Sequence, residues 1–458
     1  MGRRSFTVGE PGMSLMCSVG VALVMLALSG FGCGSGDICG DRLVILSPHW
    51  EGIQREFERG FGEHWFSKTG RNLSIEWLDQ GGGSSIMRFI RSEFKNKPDG
   101  IGVDMMFGGG TDPYFTLKDG GYLESARLSD DILKKIPTTF AGVPLYDTTD
   151  FTWYGATMSG FGVLFNRTTA GWTGRKVPTS WDDLSRPDMR GWVGAGDPRH
   201  SGSVHMAYEI MLQAYGWQKG WDIITGICAN AKLFARSSTT IPQAVATGEA
   251  IAGMSIDFYG WTTVDAVGSY HLGFVYPADM TVINPDGMGM LRGGPNPEAA
   301  REFISFVMSP PGQRLWGFRA GLRGGPKKYA LGRFSIMPQL YDTASDSFIV
   351  DINPFEWSAG FVYDNAKASS RWSLVNDMIG TLLVDSHGEL TQAWDMWIEA
   401  GAPDGVRSEI AAVPITEAEG LELGGKWWDQ ALRNRTISGW AAFARKKYER
   451  IVSIIGKG

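Results

Sequence analysis

The chain has 458 residues with a formal net charge of −6, 43% hydrophobic and 12% aromatic residues, and four cysteines. This length is too great for one compact core, and this apolar content excludes a disordered chain, which could not bury enough surface to offset its conformational entropy. The mildly acidic balance gives no electrostatic footprint for nucleic acid, and four cysteines over this length cannot form a disulfide framework.

At the N-terminus, Arg3 and Arg4 precede a short apolar stretch, Val21–Leu28, and a small-residue exit at Ser29, Gly30 and Gly32. A basic start, an apolar core too short to span a bilayer and a small-residue exit predict an export signal over residues 1–32. Cys33 at the exit resembles the lipidated cysteine of a bacterial lipobox, with Gly30 standing where a branched aliphatic residue is usual. Residues 33–40 then read as a flexible tether to a membrane. Cys39 and Cys228 are the two cysteines left to pair or stay free, and the sequence does not decide between them.

Three strand–loop–helix units follow. Leu43–Leu46, Leu73–Trp77 and Val103–Phe107 read as strands, and stretches from His49, Ile86 and Pro113 read as helices. This alternation predicts a parallel sheet with crossover helices, whose ligands bind beyond the carboxyl ends of the strands. The loops there carry His49 and Glu51, the tract Gly81–Ser85 with Ser84 and Ser85, and Gly108–Thr111. A second series has strands at Phe161–Phe165, Trp192–Gly196, Lys232–Ala235 and Ile251–Ile256, a helix from Gly202 or Ser203 to about Tyr215, and a shorter one over Ile241–Thr247. Leu272–Tyr276 and Gly287–Leu291 read as extended segments returning to the first lobe, and a helix follows over Glu298–Met308. The expected organisation is lobe 1 over residues 41–157 with 281–340, lobe 2 over 158–280, and a mostly helical extension over 341–458 packing on lobe 1. The lobe crossings are expected near residues 155–160 and 278–288.

Three helix starts, at Ser84–Ser85, Thr111 and Ser201–Ser203, offer unpaired N–H groups and hydroxyls suited to an anionic group. His49 from one lobe with Asp257 and Tyr259 from the other forms a hard, oxygen-rich ligand set that suits Fe³⁺. Neither glycine tract continues as a nucleotide-phosphate loop, and the chain contains no G-x-S-x-G elbow and no H-E-x-x-H zinc motif. A secreted carbohydrate-active or other hydrolase is the competing class, with the 18 tryptophans as sugar-stacking platforms.

Ser47-Pro48-His49, Phe107–Gly110, Asp197-Pro198 with Ser201-Gly202-Ser203, Asp257–Gly260, and the stretch from Asn284 to Gln313 resemble the iron-type substrate-binding proteins of bacterial ABC importers. The resemblance covers roughly residues 41–320. It implies a two-lobed α/β receptor of the type II periplasmic-binding-protein fold, not an enzyme. Such a receptor is periplasmic, often lipid-anchored, and closes on a solute for a membrane permease and its ATPase. Ferric iron, with a synergistic bound anion, is the solute the resemblance puts first, held through His49, Asp257 and Tyr259. The ferric branch carries two adjacent tyrosines where this chain has Phe258-Tyr259, which leaves a small phosphorylated or carboxylated organic solute as the alternative. No resident cofactor is expected.

Overall fold

The protein is described from a computed structural model covering residues 40–357 and 361–456, with the side chains of Ser84 and Asp404 excepted. The export signal, the tether, Cys33 and Cys39 lie outside the described residues.

The first lobe opens with β1 (Asp41–Leu46), α1 (Glu51–Thr69), β2 (Leu73–Leu78), α2 (Gly83–Asn96), β3 (Met105–Phe107) and α3 (Asp112–Asp119). β1 lies between β2 and β3, parallel to both, with Leu43 opposite Ile75 and Ile45 opposite Met105. Leu43, Val44, Ile45 and Leu46 are all buried, as a strand covered by helices on both faces requires. Their burial accounts for about 1.5–3 kcal/mol per side chain.

A 13-residue strand, β4 (Tyr154–Asn166), then leaves this lobe and enters the second, buried along its whole length. The second lobe contains β5 (Val193–Gly196), α4 (Gly202–Ala214), α5 (Trp217–Ala229), β6 (Ala231–Ala235), α6 (Thr240–Ala246), β7 (Ala252–Ile256), α7 (Asp257–Val267) and β8 (Leu272–Val275). β9 (Ile283–Leu291) returns to the first lobe, followed by α8 (Pro297–Val307) and α9 (Pro310–Gly317). The sheet runs β2-β1-β3-β9-β4-β7-β5-β6, with β8 also on β4. β4 pairs antiparallel with β9 through its first half and with β7 and β8 through its second, so one strand belongs to both lobes. Gly160 lies at the changeover. A Cβ there would come within 2.8 Å of the Tyr276 ring and 3.3 Å of the Asp257 carboxylate, so only glycine lets α7 approach the strand this closely.

Asp257-Phe258-Tyr259, directly after β7, forms the first turn of α7. Thr262 and Thr263 donate their hydroxyls back to the carbonyls of Phe258 and Tyr259, which satisfies them inside the helix.

The C-terminal region is helical: α10 (Asn365–Ile379), a π-helical turn (Gly380–Val384), α11 (His387–Glu399), α12 (Asp404–Ala411), α13 (Glu417–Gly424) and α14 (Gln430–Ile455). Its placement corrects the expectation that it packs on lobe 1. Leu374, Val375, Met378, Trp394, Trp397, Trp440 and Tyr448 share one core with Val193, Ile210, Met211, Ile224 and Ile227 of the second lobe. The physical reason is that α4 and α5 are buried on nearly every side, which demands a second apolar layer outside them. The segment before the extension stays with the first lobe, where Phe318, Leu331, Phe334, Tyr341 and Phe348 join the core of α1 and α8. Among the described residues, the chain therefore changes core in β4, ahead of β9, and between Val350 and Tyr363. Trp65, Trp153, Trp181, Trp221, Trp316 and Trp394 are almost wholly buried, so they pack the cores and offer no sugar-stacking platform.

Candidate functional site

His49 follows β1 through Ser47 and Pro48, and its ring packs edge-on against Phe107 at 4.7 Å and Trp316 at 5.9 Å. Gly108 makes room for it, since a Cβ there would lie 2.8 Å from the imidazole, and the glycine's φ of +103° suits that close approach. Nε2 of His49 lies 3.0 Å from Oδ2 of Asp286 in β9. A carboxylate can only accept, so Nε2 carries the proton, and Nδ1 is left buried without a partner. Burial lowers the imidazole pKa, and Asp286 only partly restores it.

Asp286 is the meeting point of this side of the gap. It also accepts from the Gly110 N–H at 2.7 Å and from Nη1 of Arg333. Burial opposes its ionisation, but Arg333, His49 and the Gly110 N–H overcome that and hold the carboxyl well below the usual carboxylate range. The Arg333 guanidinium lies 3.9 Å above the Phe258 ring of α7 and 5.3 Å from Trp316, and its Nε is buried with no partner. It reaches from a first-lobe pair to a second-lobe aromatic.

Asp257 and Tyr259 lie on the other side of that guanidinium. Asp257 is fully buried and accepts from Gly160 N–H at 2.5 Å, Phe258 N–H at 2.7 Å and the Tyr276 hydroxyl at 3.0 Å. Burial pushes its carboxyl up to about 7 against these donors and Arg333. Its oxygens are engaged in tying α7 to the strand that both lobes share. Tyr259 is half-buried with its ring 4.2 Å from Phe258; burial raises its phenol pKa and Arg333 pulls it back. Arg333 thus bonds to the Asp286 that holds His49 and stacks on Phe258, which stands between Asp257 and Tyr259 in α7. Among the described residues, no group of three or more His, Cys, Asp or Glu side chains is placed to hold a metal ion.

The second-lobe helix start is built from hydroxyls. Ser201 caps α4 by accepting from Val204 N–H. Its Oγ lies 3.3 Å from that of Ser203 and 3.0 Å from that of Ser238, and the Ser203 and Ser238 hydroxyls are 2.6 Å apart. Ser203, Ser238 and Ser255 line a small, open recess with Val204, Ile241 and Met254, at the carboxyl ends of β6 and β7. Across from it, Gly82 of the first-lobe turn faces the His200 carbonyl, 3.7 Å from where a Cβ would stand. Thr111 is buried at the start of α3, and the Ser85 hydroxyl accepts from Arg88 at 2.9 Å. Glu51 is not brought to this cluster; it is exposed on α1 and pairs with Arg55 at 3.3 Å.

Arg333, Asp286 and Ser238 were not singled out from the sequence. Asp286 sits inside the Asn284-Pro-Asp-Gly stretch that carried the resemblance, which is a usable signal. Arg333 has none, because it lies in a segment without a motif.

The comparisons with known proteins agree with this architecture. Residues 104–320 match the family of bacterial extracellular solute-binding proteins. The phosphoglycerate transport regulatory protein PgtC of Salmonella typhimurium is 28% identical over 158 residues, which are 34% of this chain and 39% of PgtC. Among solved structures, the periplasmic binding protein P5PA is similar with a TM-score of 0.60 and 21% identity, over 75% of this chain and 99% of that one. The periplasmic binding protein AfuA from Actinobacillus pleuropneumoniae, solved with fructose-6-phosphate bound, has a TM-score of 0.51 and 24% identity, over 60% and 81%. The resemblance read from the sequence is borne out as a similarity: residues 104–320 match the extracellular solute-binding family, and the fold is the two-lobed α/β fold of periplasmic binding proteins with a helical C-terminal region. Proteins of this family work with an ABC permease and its ATPase.

Proposed function

We propose that this protein captures a small phosphorylated or carboxylated organic anion in the gap between its lobes and delivers it to an ABC permease. The observation that carries this reading is the position of Arg333. A buried guanidinium with an unpaired Nε is bonded to the Asp286 that holds His49 and stacks on Phe258, the residue between Asp257 and Tyr259. A fixed cation there repels a second one and offers a planar donor to a carboxylate or phosphate. The hydroxyls of Ser201, Ser203 and Ser238 at the start of α4 supply further donors, backed by the positive end of the helix. The phosphoglycerate transport role named for PgtC agrees with an anionic solute.

In this mechanism the lobes close about β4 and the segment before β9, and solute contacts shared across the gap shift the population toward the closed form. The in-gap hydroxyls bond to one another rather than to a histidine, as binding groups do. Cys33 anchors the protein to a membrane through lipid, and Cys33→Ser releases it from the membrane fraction.

Thermal denaturation of the purified protein tests the solute class with inorganic phosphate, glycerate 3-phosphate, hexose phosphates, dicarboxylates and ferric citrate. The expected outcome is saturable stabilisation by one phosphorylated or carboxylated compound, about 2.7 kcal/mol at a hundredfold excess over Kd. A visible tyrosinate-to-iron band that vanishes in Tyr259→Phe, with no response to any anion, would overturn the reading in favour of ferric iron.

A further inference from the structure

The loop that carries the proposed anion contacts of the second lobe, Asp197–Ser203, is gripped from outside by the C-terminal extension. Contacts from five residues of the extension to this loop and the helix behind it show it. Arg199 donates to its own-loop partner Asp197 at 2.7 Å and, through Nη1 and Nη2, to both oxygens of Asp385 at 2.8 Å. The guanidinium lies directly on Gly380, where a Cβ would collide with Nε, Cδ and Cζ at 2.5–2.7 Å. The indole of Trp372 lies 3.8 Å from the Cβ position of Gly202 and stacks on His205 with 3.6 Å between ring centres. His205 places Nδ1 2.6 Å from the amide oxygen of Asn376, and Glu209 pairs with Arg371 at 2.7 Å.

These contacts follow helical spacing on both partners. Positions 202, 205 and 209 share one face of α4, and 372, 376 and 380 share one face of α10 and its continuation. As α4 is followed backwards to its start, α10 is followed forwards, so the two run antiparallel. The π-helical turn at Gly380–Val384 stands where the wider turn brings Asp385 to the loop, the kind of irregularity that recurs at functional sites.

We propose that the extension is the rigid backing of the solute-holding loop and sets the receptor's affinity from outside the gap, with Asp385 and Trp372 as positioning residues. This rests on the reading of the α4 start as an anion site. A loop already held in its bound conformation loses little freedom on binding, so its contacts appear as affinity.

The test uses the full chain with Asp385→Ala, Trp372→Ala and the conservative Asp385→Glu. Backbone hydrogen exchange at residues 199–204 is read without solute, and affinity for inorganic phosphate and phosphomonoesters is read by calorimetry. Asp385→Ala and Trp372→Ala are expected to speed exchange at 199–204 and weaken binding by roughly tenfold each, a coupling of ordinary size. Melting temperature stays near that of the parent, and Asp385→Glu recovers most of both readings. Glu409→Ala, which removes an exposed pair with Arg450 elsewhere on the extension, leaves both unchanged. Exchange at 199–204 that matches the parent in both disruptive variants would sink the proposal. A parent protein that binds none of the probes sinks the anion reading instead, and the exchange result then decides the backing role alone.

Discussion

Arg333 and Arg371 are both buried guanidinium groups with carboxylate partners, yet they are satisfied in different ways. Arg371 places Nε and Nη2 on Glu209 and Nη1 on Glu417, tying α4 to α10 and α13. Arg333 gives Nη1 to an Asp286 already shared with His49 and the Gly110 N–H, leaves Nε unpaired, and turns its face to Phe258 in the other lobe. Burial alone therefore does not separate a structural cation from a binding one. Saturation does: a fork whose donors are used up joins elements, and one with a buried, unpaired donor has capacity left for a further acceptor.

The largest test of that contrast is Arg371→Met. It strands Glu209, whose side chain is fully buried, without its cation. The expected loss is about 3–5 kcal/mol of unfolding free energy, measured by urea denaturation. Removing the stranded charge with Glu209→Met in the same chain should return much of it, because an apolar pair in place of a buried ion pair is often nearly neutral.

Arg333→Met is expected to behave in the opposite sense, with binding lost and the fold retained. Asp286 loses its ion-pair partner but keeps hydrogen bonds from His49 and the Gly110 N–H and is less deeply buried than Glu209, so the loss of stability is smaller than in Arg371→Met. Affinity for the solute should fall by about 2–5 kcal/mol, the range for removing one partner from a desolvated charge-assisted contact. A second readout fixes the mechanism. Arg333 depresses the His49 pKa, so its removal raises it, and the imidazole titrates at higher pH in Arg333→Met by NMR. An unchanged His49 titration together with unchanged affinity would leave Arg333 as packing.

The two arginines also mark what sequence can and cannot carry. The first-lobe units were legible because Leu43–Leu46 is too apolar to be anything but a covered strand, and glycine-rich turns follow β2 and β3. Helix α7 was not, because Phe258, Tyr259, Trp261 and two threonines favour a strand locally and only tertiary contact overrides them. The first lobe's grip on His49 could be read from its loop. Its partner Asp286 lies 237 positions away and Arg333 another 47 beyond, and no local pattern encodes such a meeting. The extension's apolar stripe announced that it docks; which lobe it chooses depends on the surface α4 and α5 leave uncovered.

Asp112 gives the smallest expected effect and the finest test, because it faces the pair that Arg371 satisfies. It stands at the start of α3 in the first lobe, and Glu209 of α4 and Tyr363 at the head of the extension lie within its electrostatic reach. Its Oδ1 is buried without a partner, and burial, reinforced by Glu209, pushes the carboxyl up to about 7. A carboxyl raised in the folded state binds its proton more tightly there than in the unfolded chain. Its contribution to stability is therefore complete below about pH 4 and drains away as pH rises to about 7. Asparagine does not ionise, so Asp112→Asn should match the parent at pH 4, gain on it steadily, and hold an advantage of about 1 kcal/mol at pH 8, since lobe opening can rehydrate the carboxylate in the parent. Melting curves at pH 4, 6 and 8 read this directly. If the two proteins run parallel across that range, the Asp112 carboxyl is hydrated in the folded protein, and neither its burial nor Glu209 raises it.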